Sequence, residues 1–402
     1  MSGLFGEREG VLTVGGVEIN RLADRAGRTP FFAYDRATLD QRVCTLRDTL
    51  PPGIDLHYSI KANPMPAVVY HLAPQMDGFD VASANEMALA LNAGMPAELV
   101  GFAGPGKSRD DLRRAVASGV NIHLESITQL HLVTALGWEL GVQPKVAVRV
   151  NPDFHVNHSG MRMGGGATPF GLDVEQVPEL LRELDAREVS LAGFHIFWGS
   201  QCLHAPTVIE AQRKSANLVV RLAAGLSLAP QYVNFGGGFG IPYFAGETPL
   251  DLAAVTDAMH DWLGVFRGRL PDTRAILEFG RYLVGEAGIY VCRVIDRKVS
   301  RNRTFLITDG GLHHHLAASG NFGQILRRNF PVAIGNRQTQ VPTERCHIVG
   351  CLCTPLDRIA DDVLLPEARI GDFVVVFQSG AYGRSASPRD FLGHPDAIEM
   401  LV

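Results

Sequence analysis

The stretch His57-Tyr58-Ser59-Ile60-Lys61-Ala62-Asn63-Pro64 places a lysine directly after a run of apolar and β-favouring residues. The run predicts a buried strand that Asn63-Pro64 ends, so we expect Lys61 at the carboxyl end of that strand. An ammonium group is costly to bury unless it is paired, deprotonated or covalently bonded. Two interpretations remain open from this stretch alone. Lys61 is either a rim residue with its head in water, or a desolvated lysine suited to Schiff-base chemistry.

The composition indicates a globular protein that is too long for one ordinary core. The chain has 402 residues, 46% of them hydrophobic and 20% charged, and two domains are therefore expected. Its net charge of -5 and the absence of a basic run argue against a nucleic acid or an anionic membrane as partner. Charges near the first residues, where a signal peptide needs an apolar core, indicate a cytoplasmic protein. Six irregularly spaced cysteines favour reduced thiols.

Apolar runs alternate with helical patterns through most of the chain. The strand-like runs lie near 55–59, 79–82, 99–102, 121–125, 145–150, 191–197, 232–236 and 274–279. Eight strands separated by helices over about 225 residues are typical of a (β/α)8 TIM barrel. After Arg281 short alternating strands follow one another without comparable helices. We therefore predict an N-terminal arm at 1–30 that packs with the β domain, a barrel at 31–284, and a mainly-β sandwich or barrel at 285–402.

Glycine-rich ends of the last two barrel strands predict an anion site. The seventh strand ends in Asn234-Phe235-Gly236-Gly237-Gly238-Phe239-Gly240, and the eighth ends in Glu278-Phe279-Gly280-Arg281. Phosphate commonly binds after these two strands in a barrel, and backbone N–H groups of glycine turns can close on it. A dinucleotide fingerprint is the weaker interpretation, because its third glycine is absent and Ile241-Pro242-Tyr243 follows. A turn that serves geometry alone remains open.

One end of the predicted barrel combines a lysine, a glutamate and a phosphate cup, which is formed by the glycines at 236–240 and at 280. One cofactor suits all three groups. Pyridoxal 5'-phosphate (PLP) offers an aldehyde for the lysine, a phosphate for the cup and a ring nitrogen for the carboxylate.

Six ordered motifs then resemble the fold-type III PLP-dependent decarboxylases, the diaminopimelate and ornithine decarboxylase family, which has an alanine racemase-like fold. The resemblance runs from about residue 30 to about residue 400. The motifs are Tyr58-Ser59-Ile60-Lys61-Ala62-Asn63, Phe79-Asp80-Val81-Ala82-Ser83, Gly236-Gly237-Gly238-Phe239-Gly240, Glu278-Phe279-Gly280-Arg281, the run 350–357, and Gly380-Ala381-Tyr382-Gly383. Two further runs, 309–315 and 391–395, resemble the branch that includes glutamyl-[acyl carrier protein] decarboxylase.

The resemblance implies roles for individual residues. Lys61 would bind the cofactor covalently, and Glu278 would pair with its pyridine nitrogen. Cys353 would donate a proton to the substrate from a partner subunit, so a homodimer with shared active sites is implied. The other implied cofactor-binding residues are Asp80, Arg149, His195, Phe197, Ser200, Gly237, Gly238, Gly280, Arg281 and Tyr382. The implied substrate-binding residues are Thr354, Asp357 and Tyr382.

No metal site is expected. The one-residue spacing of Cys351-Leu352-Cys353, without a second pair, argues against zinc. The run His313-His314-His315 would alternate faces on a strand.

Three departures from the family pattern bear on the substrate. Phe197 stands where diaminopimelate decarboxylases carry a histidine that stacks on the cofactor, so stacking survives but hydrogen bonding does not. Thr354 stands where classical members place an acidic residue for the substrate's distal amine. The arginine that grips a distal carboxylate has no counterpart near 316–318. These departures predict a decarboxylase of an amino-acid-derived intermediate with a blocked far end, such as a carrier-protein-tethered one.

Other interpretations stay open beside this one. A decarboxylase of free meso-diaminopimelate or another diamino acid needs Asp357, Arg327 or Arg328 to replace the lost charges. A non-catalytic PLP-binding protein would need Lys61 and the phosphate cup but no proton donor such as Cys353. An amino-acid racemase would need two opposed bases at Cα.

Overall fold

The computed structural model describes residues 4–156 and 161–402, so the first three residues of the predicted arm lie outside the described residues. The strands are β1 (Gly6–Arg8), β2 (Val11–Val14), β3 (Val17–Glu18), β4 (Phe31–Tyr34), β5 (Ile54–Ser59), β6 (Gly78–Val81), β7 (Val100–Phe102), β8 (Asn121–Leu124), β9 (Lys145–Asn151), β10 (Met161–Arg162), β11 (Leu172–Asp173), β12 (Ser190–Ile196), β13 (Gly199–Ser200), β14 (Tyr232–Asn234), β15 (Arg274–Phe279), β16 (Gly288–Ser300), β17 (Arg303–Thr308), β18 (Val332–Ile334), β19 (Glu344–Val349), β20 (Arg358–Leu365), β21 (Phe373–Val376) and β22 (Ile398–Leu401). The α-helices are α1 (Ile19–Ala26), α2 (Arg36–Thr49), α3 (Pro66–Leu72), α4 (Ala84–Asn92), α5 (Arg109–Ser118), α6 (Ile127–Leu140), α7 (Val177–Asp185), α8 (Ala205–Ala223), α9 (Leu252–Arg269) and α10 (Arg281–Val284).

The larger unit, residues 44–241 and 248–280, is a closed parallel barrel. Its strands follow the order β5-β6-β7-β8-β9-β12-β14-β15, and β15 pairs with β5 to close the ring. Each of the eight predicted strand runs overlaps one of these strands. The predicted (β/α)8 barrel is therefore confirmed. A serine begins several of the helices between the strands: Ser83, Ser108 and Ser126 each accept a backbone N–H from the first turn of α4, α5 and α6.

A glycine lets two barrel strands approach each other closely. The register of β12 against β9 shifts between Leu191 and Gly193. A Cβ atom on Gly193 would lie 2.0 Å from the Tyr232 carbonyl oxygen at the start of β14. Beside it, Ala147, Ala192, Tyr232 and Ile276 form a buried apolar cluster from four strands. A larger residue than glycine at 193 would force β12 and β14 apart.

The second unit comprises residues 1–43, 242–247 and 281–402 and is mainly β. Its main sheet has the order β18-β21-β16-β17-β19-β20. The strand β4, which we expected to open the barrel domain, pairs instead with β16 and β22 in this unit. Its four residues are all buried, and Phe31 and Ala33 pack in an apolar cluster with Ile289 and Val291. Cys44 is the first residue of the barrel unit.

The N-terminal arm contributes to the same apolar cluster of the β unit. Leu12 and Val14 of β2 and Ile19 and Leu22 of α1 are buried there. The three short strands β1, β2 and β3 form their own antiparallel sheet. Within the described ranges, no helix combines the length and apolarity that crossing a bilayer requires.

Candidate active site

Lys61 lies just beyond the carboxyl end of β5. The strand ends at Ser59, and Ile60–Ala62 form one short 3-10 turn. Ile60 and Ala62 are buried, whereas Lys61 is exposed. Its ammonium nitrogen lies 5.4 Å from the centre of the Phe197 ring. The lysine thus has its stem at the barrel rim and its head accessible.

A cavity of about 320 Å³ lies at the carboxyl ends of the barrel strands. Six of the predicted site residues line it, and they come from five strands or the turns after them: Lys61, Asp80, Arg149, His195, Phe197 and Glu278. The remaining predicted residues of the barrel unit, Ser200, Gly237, Gly238 and Gly280, are not part of this lining.

The pKa values of two buried carboxylates in the cavity are shifted in opposite directions. Burial raises the pKa of Glu278 to about 7, and the charge of Asp80 adds to this shift while Lys61 and Arg149 oppose it. Burial also raises the pKa of Asp80, but the contacts with His57, 3.3 Å away, and with His123 and Lys61 outweigh it, so the net pKa is lowered. Asn234 lies between the two carboxylates, with its amide nitrogen 3.4 Å from an oxygen of each. Burial therefore dominates at Glu278, whereas the contact with His57 dominates at Asp80.

Arg149 is held by a buried glutamate. Its guanidinium donates to Glu125 Oε1 at 2.9 Å and lies 5.1 Å from the Phe170 ring centre. Glu125 also accepts the backbone N–H of Gly171 at 2.9 Å. Glu125 directly follows β8, and its place at the end of a predicted strand was the signal that sequence reasoning missed.

Sequence reasoning also missed Lys107, a further cation in the lining of the cavity. Its ammonium donates to the carbonyl oxygens of Gly104 and His123 and to the side chain of Gln129. Burial lowers its pKa to about 8. Because all three of its N–H groups have acceptors, Lys107 supports the loop after β7 rather than reaching toward a ligand.

The glycine turn after β14 is tightly built. Gly236 and Gly238 have φ angles of +68° and +87°, which favour glycine. The Gly236 N–H donates to Asn234 Oδ1 at 2.8 Å. A Cβ atom on Gly238 would lie 2.6 Å from the Gly199 carbonyl oxygen, next to Ser200. The structure thus brings Ser200 and Gly238, two of the predicted phosphate-binding residues, into the same neighbourhood of the barrel.

Gly237 and Gly280 pack tightly beside other site elements. A Cβ atom on Gly237 would lie 1.8 Å from the Glu278 carbonyl oxygen. On Gly280 it would lie 2.9 Å from the Ala62 side chain, beside Lys61. Both positions therefore require glycine for close backbone approach.

Five predicted site residues belong to the β unit: Arg281, Cys353, Thr354, Asp357 and Tyr382. Arg281 donates to the Tyr243 hydroxyl at 2.8 Å, and its guanidinium lies 4.7 Å from the centre of the Tyr382 ring. Cys353 is exposed. The neighbouring Thr354 hydroxyl accepts the backbone N–H of Leu356 at 3.4 Å.

Asp357 bonds to the backbone of the β unit. It is buried, and its two carboxylate oxygens accept the backbone N–H groups of Leu312 at 2.6 Å and Leu352 at 2.8 Å. A Cβ atom on Gly311 or Gly350 would collide with this carboxylate. Asp357 therefore joins two turns of the β unit, and its predicted role as a substrate-binding carboxylate stays a prediction.

The histidine run at 313–315 lies in turns, not on a strand. All three side chains are buried, and burial lowers the pKa of His313 and His315 to about 3. His314 lies 3.3 Å from the Tyr290 hydroxyl, and His315 lies 2.9 Å from the Ser379 hydroxyl. These neutral histidines act within the core of the β unit.

Comparison with known proteins defines the family. Residues 36–285 match the family described as "Pyridoxal-dependent decarboxylase, pyridoxal binding domain". L-glutamyl-[BtrI acyl-carrier protein] decarboxylase of Niallia circulans is 38% identical over 396 residues, covering 96% of this chain and 91% of that protein. Diaminopimelate decarboxylase of Archaeoglobus fulgidus is 31% identical, covering 99% of this chain and 93% of that protein. The crystal structure of diaminopimelate decarboxylase from M. jannaschii with L-lysine is 25% identical and has a TM-score of 0.88, covering 99% and 92%.

The chain belongs to the pyridoxal-dependent decarboxylases. It is an enzyme, a PLP-dependent carboxy-lyase, and both the predicted family and the predicted cofactor are confirmed.

The residues of the barrel cavity fit this cofactor. A lysine stands at the mouth, and Glu278, a buried carboxylate whose pKa burial raises, lies deeper inside. A protonated pyridine nitrogen would favour the charged form of this carboxylate. When bound, PLP withdraws electrons from the substrate Cα and so makes loss of the carboxylate possible.

Proposed function

We propose that the enzyme decarboxylates an amino-acid derivative whose distal end is neither a free amine nor a free carboxylate, and that this end is an acyl group carried by an acyl-carrier protein. The supporting observation is the engagement of Asp357, whose two oxygens accept N–H groups from Leu312 and Leu352. A buried substrate ammonium without a carboxylate partner would cost several kcal/mol. Asp357 was the carboxylate expected to compensate for Thr354.

The arginines that were expected to replace the lost distal-carboxylate contact are engaged as well. Arg328 forms an ion pair with Glu247 at 2.9 Å and lies 3.8 Å from the Phe244 ring centre. Arg327 donates to the Arg358 carbonyl oxygen at 2.9 Å. A free distal carboxylate would have to compete with these contacts. A neutral thioester or amide would not.

The similarity to L-glutamyl-[BtrI acyl-carrier protein] decarboxylase supports the same substrate class. The relatives named diaminopimelate decarboxylase support the second candidate, a free diamino acid. That candidate requires a charged group for the distal end, and Thr354 offers only a hydroxyl that already accepts from Leu356. We therefore favour the tethered substrate.

In this proposal Lys61 binds the cofactor aldehyde covalently, and Glu278 holds the ring nitrogen. Ser200 and the glycines after β14 and β15, with Arg281 and Tyr382, bind its phosphate, and Phe197 stacks on its ring. Asp80, Arg149 and His195 line the cofactor cavity. Cys353 of a partner subunit delivers a proton to the substrate Cα, so the enzyme works as a homodimer. The cytoplasm is its proposed location.

An exchange at position 354 tests the substrate assignment. Thr354→Asp introduces a carboxylate at the position where classical members bind a distal amine, so we expect it to create activity on free diamino acids. Thr354→Asn is the matched control, because asparagine has the size of aspartate without its charge. It should gain no activity on free diamino acids. Wild-type activity on free lysine, ornithine or diaminopimelate that already equals activity on the tethered form would contradict the proposal.

The cofactor assignment has a separate test. Borohydride treatment of the holoenzyme should fix the cofactor on the peptide that contains Lys61, as detected by mass spectrometry. Recovery of the labelled peptide around Lys107 in its place would show that the wrong lysine was chosen.

A further inference from the structure

A chain of hydrogen-bonding side chains leads through the barrel interior to Glu278. Tyr232 on β14, His123 on β8 and His195 on β12 are all buried. The Tyr232 hydroxyl lies 3.1 Å from His123 Nε2, and His123 Nδ1 lies 2.9 Å from His195 Nδ1. His195 Nε2 then lies 3.7 Å from Glu278 Oε2. The polar groups of three strands therefore converge on one carboxylate.

The protonation of the two histidines allows only two arrangements of this chain. Burial lowers the pKa of His123 to about 4 and that of His195 well below its usual value, so both rings are neutral near pH 7. A neutral imidazole carries one N–H, and only one hydrogen can lie between the two Nδ1 atoms. The donors therefore point either all toward Glu278 or all away from it.

Tyr232 selects the direction. Within residues 4–156 and 161–402, its hydroxyl has no hydrogen-bond partner besides His123. If the hydroxyl accepted from His123, its own buried hydrogen would be left without an acceptor, which is costly. If it donates, His123 accepts at Nε2 and donates at Nδ1, and His195 accepts at Nδ1, so both hydrogen bonds of the chain are formed and the Tyr232 hydrogen has an acceptor. His195 then carries its hydrogen on Nε2, the atom that faces Glu278.

We infer that Tyr232 and His123 are positioning residues that fix the Nε2–H tautomer of His195, and that this N–H favours the charged form of Glu278 beneath the cofactor. The inference rests on the proposed pairing of Glu278 with the cofactor's ring nitrogen. The other groups that act on Glu278 are Asp80 from β6, Lys61 after β5, Arg149 from β9 and Asn234 from β14. Asp80 disfavours the charged form. A donor at His195 Nε2 counteracts this effect.

The tautomer can be measured directly in protein labelled with 15N-histidine. The wild type should show His195 protonated at Nε2 alone and His123 protonated at Nδ1 alone. In Tyr232→Phe the two histidines should populate both tautomers, because no donor fixes the direction. The matched control is Tyr290→Phe, which removes another buried tyrosine hydroxyl that contacts a histidine, His314, in the β unit. It should leave the His195 signals unchanged.

The effect on the cofactor is read from PLP binding by cofactor-free protein between about pH 6 and pH 8. Affinity should fall toward low pH as Glu278 takes up a proton. In Tyr232→Phe and His123→Phe, it should fall about tenfold further at pH 6 than in the wild type, because the N–H dipole that faces the carboxylate at 3.7 Å is no longer fixed and the pKa of Glu278 rises by about one unit. Tyr232→Phe provides the test by itself if His123→Phe does not fold.

Two results would overturn the inference. One is a wild-type His195 protonated at Nδ1, and the other is a Tyr232→Phe variant with wild-type tautomers and a wild-type pH profile. Neither experiment contains a substrate, so they do not depend on the tethered-substrate proposal. A failure of the Glu278 assignment would appear separately, as wild-type cofactor affinity in Glu278→Gln.

Discussion

At the scale of single residues, Glu278 makes the cofactor-free protein sensitive to pH. Burial raises its pKa to about 7, so the folded state holds a proton between about pH 4.5 and pH 7 that the unfolded state has released. The proton therefore contributes to the free energy of unfolding. This contribution is fully present below the pKa that Glu278 has in the unfolded state, and it is lost as the pH rises through about 7. The loss amounts to about 3 kcal/mol at most.

We expect Glu278→Gln to remove this loss, because glutamine stays neutral. Cofactor-free Glu278→Gln should be more stable than the wild type at about pH 8 and no more stable near pH 5, as measured by urea denaturation. The exposed Glu175→Gln is the control and should follow the wild type at both values. A wild-type stability that rises from pH 5 to pH 8 as steeply as in Glu278→Gln would show that the carboxylate is not protonated in this range.

Cys353 and Cys351 differ in exposure, as expected if Cys353 donates a proton and Cys351 serves the structure alone. Cys353 is exposed, whereas burial raises the pKa of the Cys351 thiol to about 11. We expect Cys353→Ala to bind cofactor normally and to lower kcat by about 10²–10⁴-fold, as is typical for loss of a general acid. Cys351→Ala should change kcat less than about threefold. Equal kcat values in the two variants would remove Cys353 from the mechanism.

Several cavity residues could be predicted from the sequence because they lie in short motifs at strand ends. Lys61, Asp80 and Glu278 each occupy such a motif, and all three line the cavity. His123 and Tyr232 could not be predicted, because they lie within strands, where a polar residue facing the barrel interior has no local signature. The contacts of Asp357 could not be predicted for a related reason: the sequence does not reveal that its two oxygens accept backbone N–H groups.

At the scale of elements, Asp357 holds together the turn before His313 and the turn before Cys353. We expect Asp357→Ala to lower the free energy of unfolding by about 3 kcal/mol, because two buried N–H groups lose their acceptor. Asp357→Asn retains one acceptor oxygen and should lose less. Urea denaturation measures both. If Asp357→Ala keeps full stability but has a greatly raised KM for substrate, Asp357 binds the substrate directly and its structural role is refuted.

The strand β4 shows why element partners are harder to predict than elements. The apolar run at 31–34 correctly predicts a strand, but an apolar strand fits the barrel and the mainly-β sheet equally well. Its pairing with β16 and β22 involves residues more than 250 positions away, at 288–291 and 398–401. The barrel strands were easier to place, because consecutive strands in a (β/α)8 barrel are neighbours in space.

At the scale of the whole molecule, the proposed homodimer predicts complementation between inactive subunits. Lys61→Ala and Cys353→Ala proteins each lack one essential group. In a mixed dimer, one of the two sites would regain both groups if Cys353 acts across the interface. Random exchange should then restore about a quarter of wild-type activity. If exchange of subunits is verified and activity does not return, each site is built from a single chain.

The central claim concerns the far end of the substrate, and release of carbon dioxide tests it most directly. We expect release from glutamyl or similar aminoacyl groups bound to an acyl-carrier protein, and little release from the same amino acids when they are free. The free panel should include meso-diaminopimelate, lysine, ornithine and glutamate. Decarboxylation of a free diamino acid with kcat/KM above about 10⁴ M⁻¹s⁻¹, together with no activity on the tethered forms, would contradict the account.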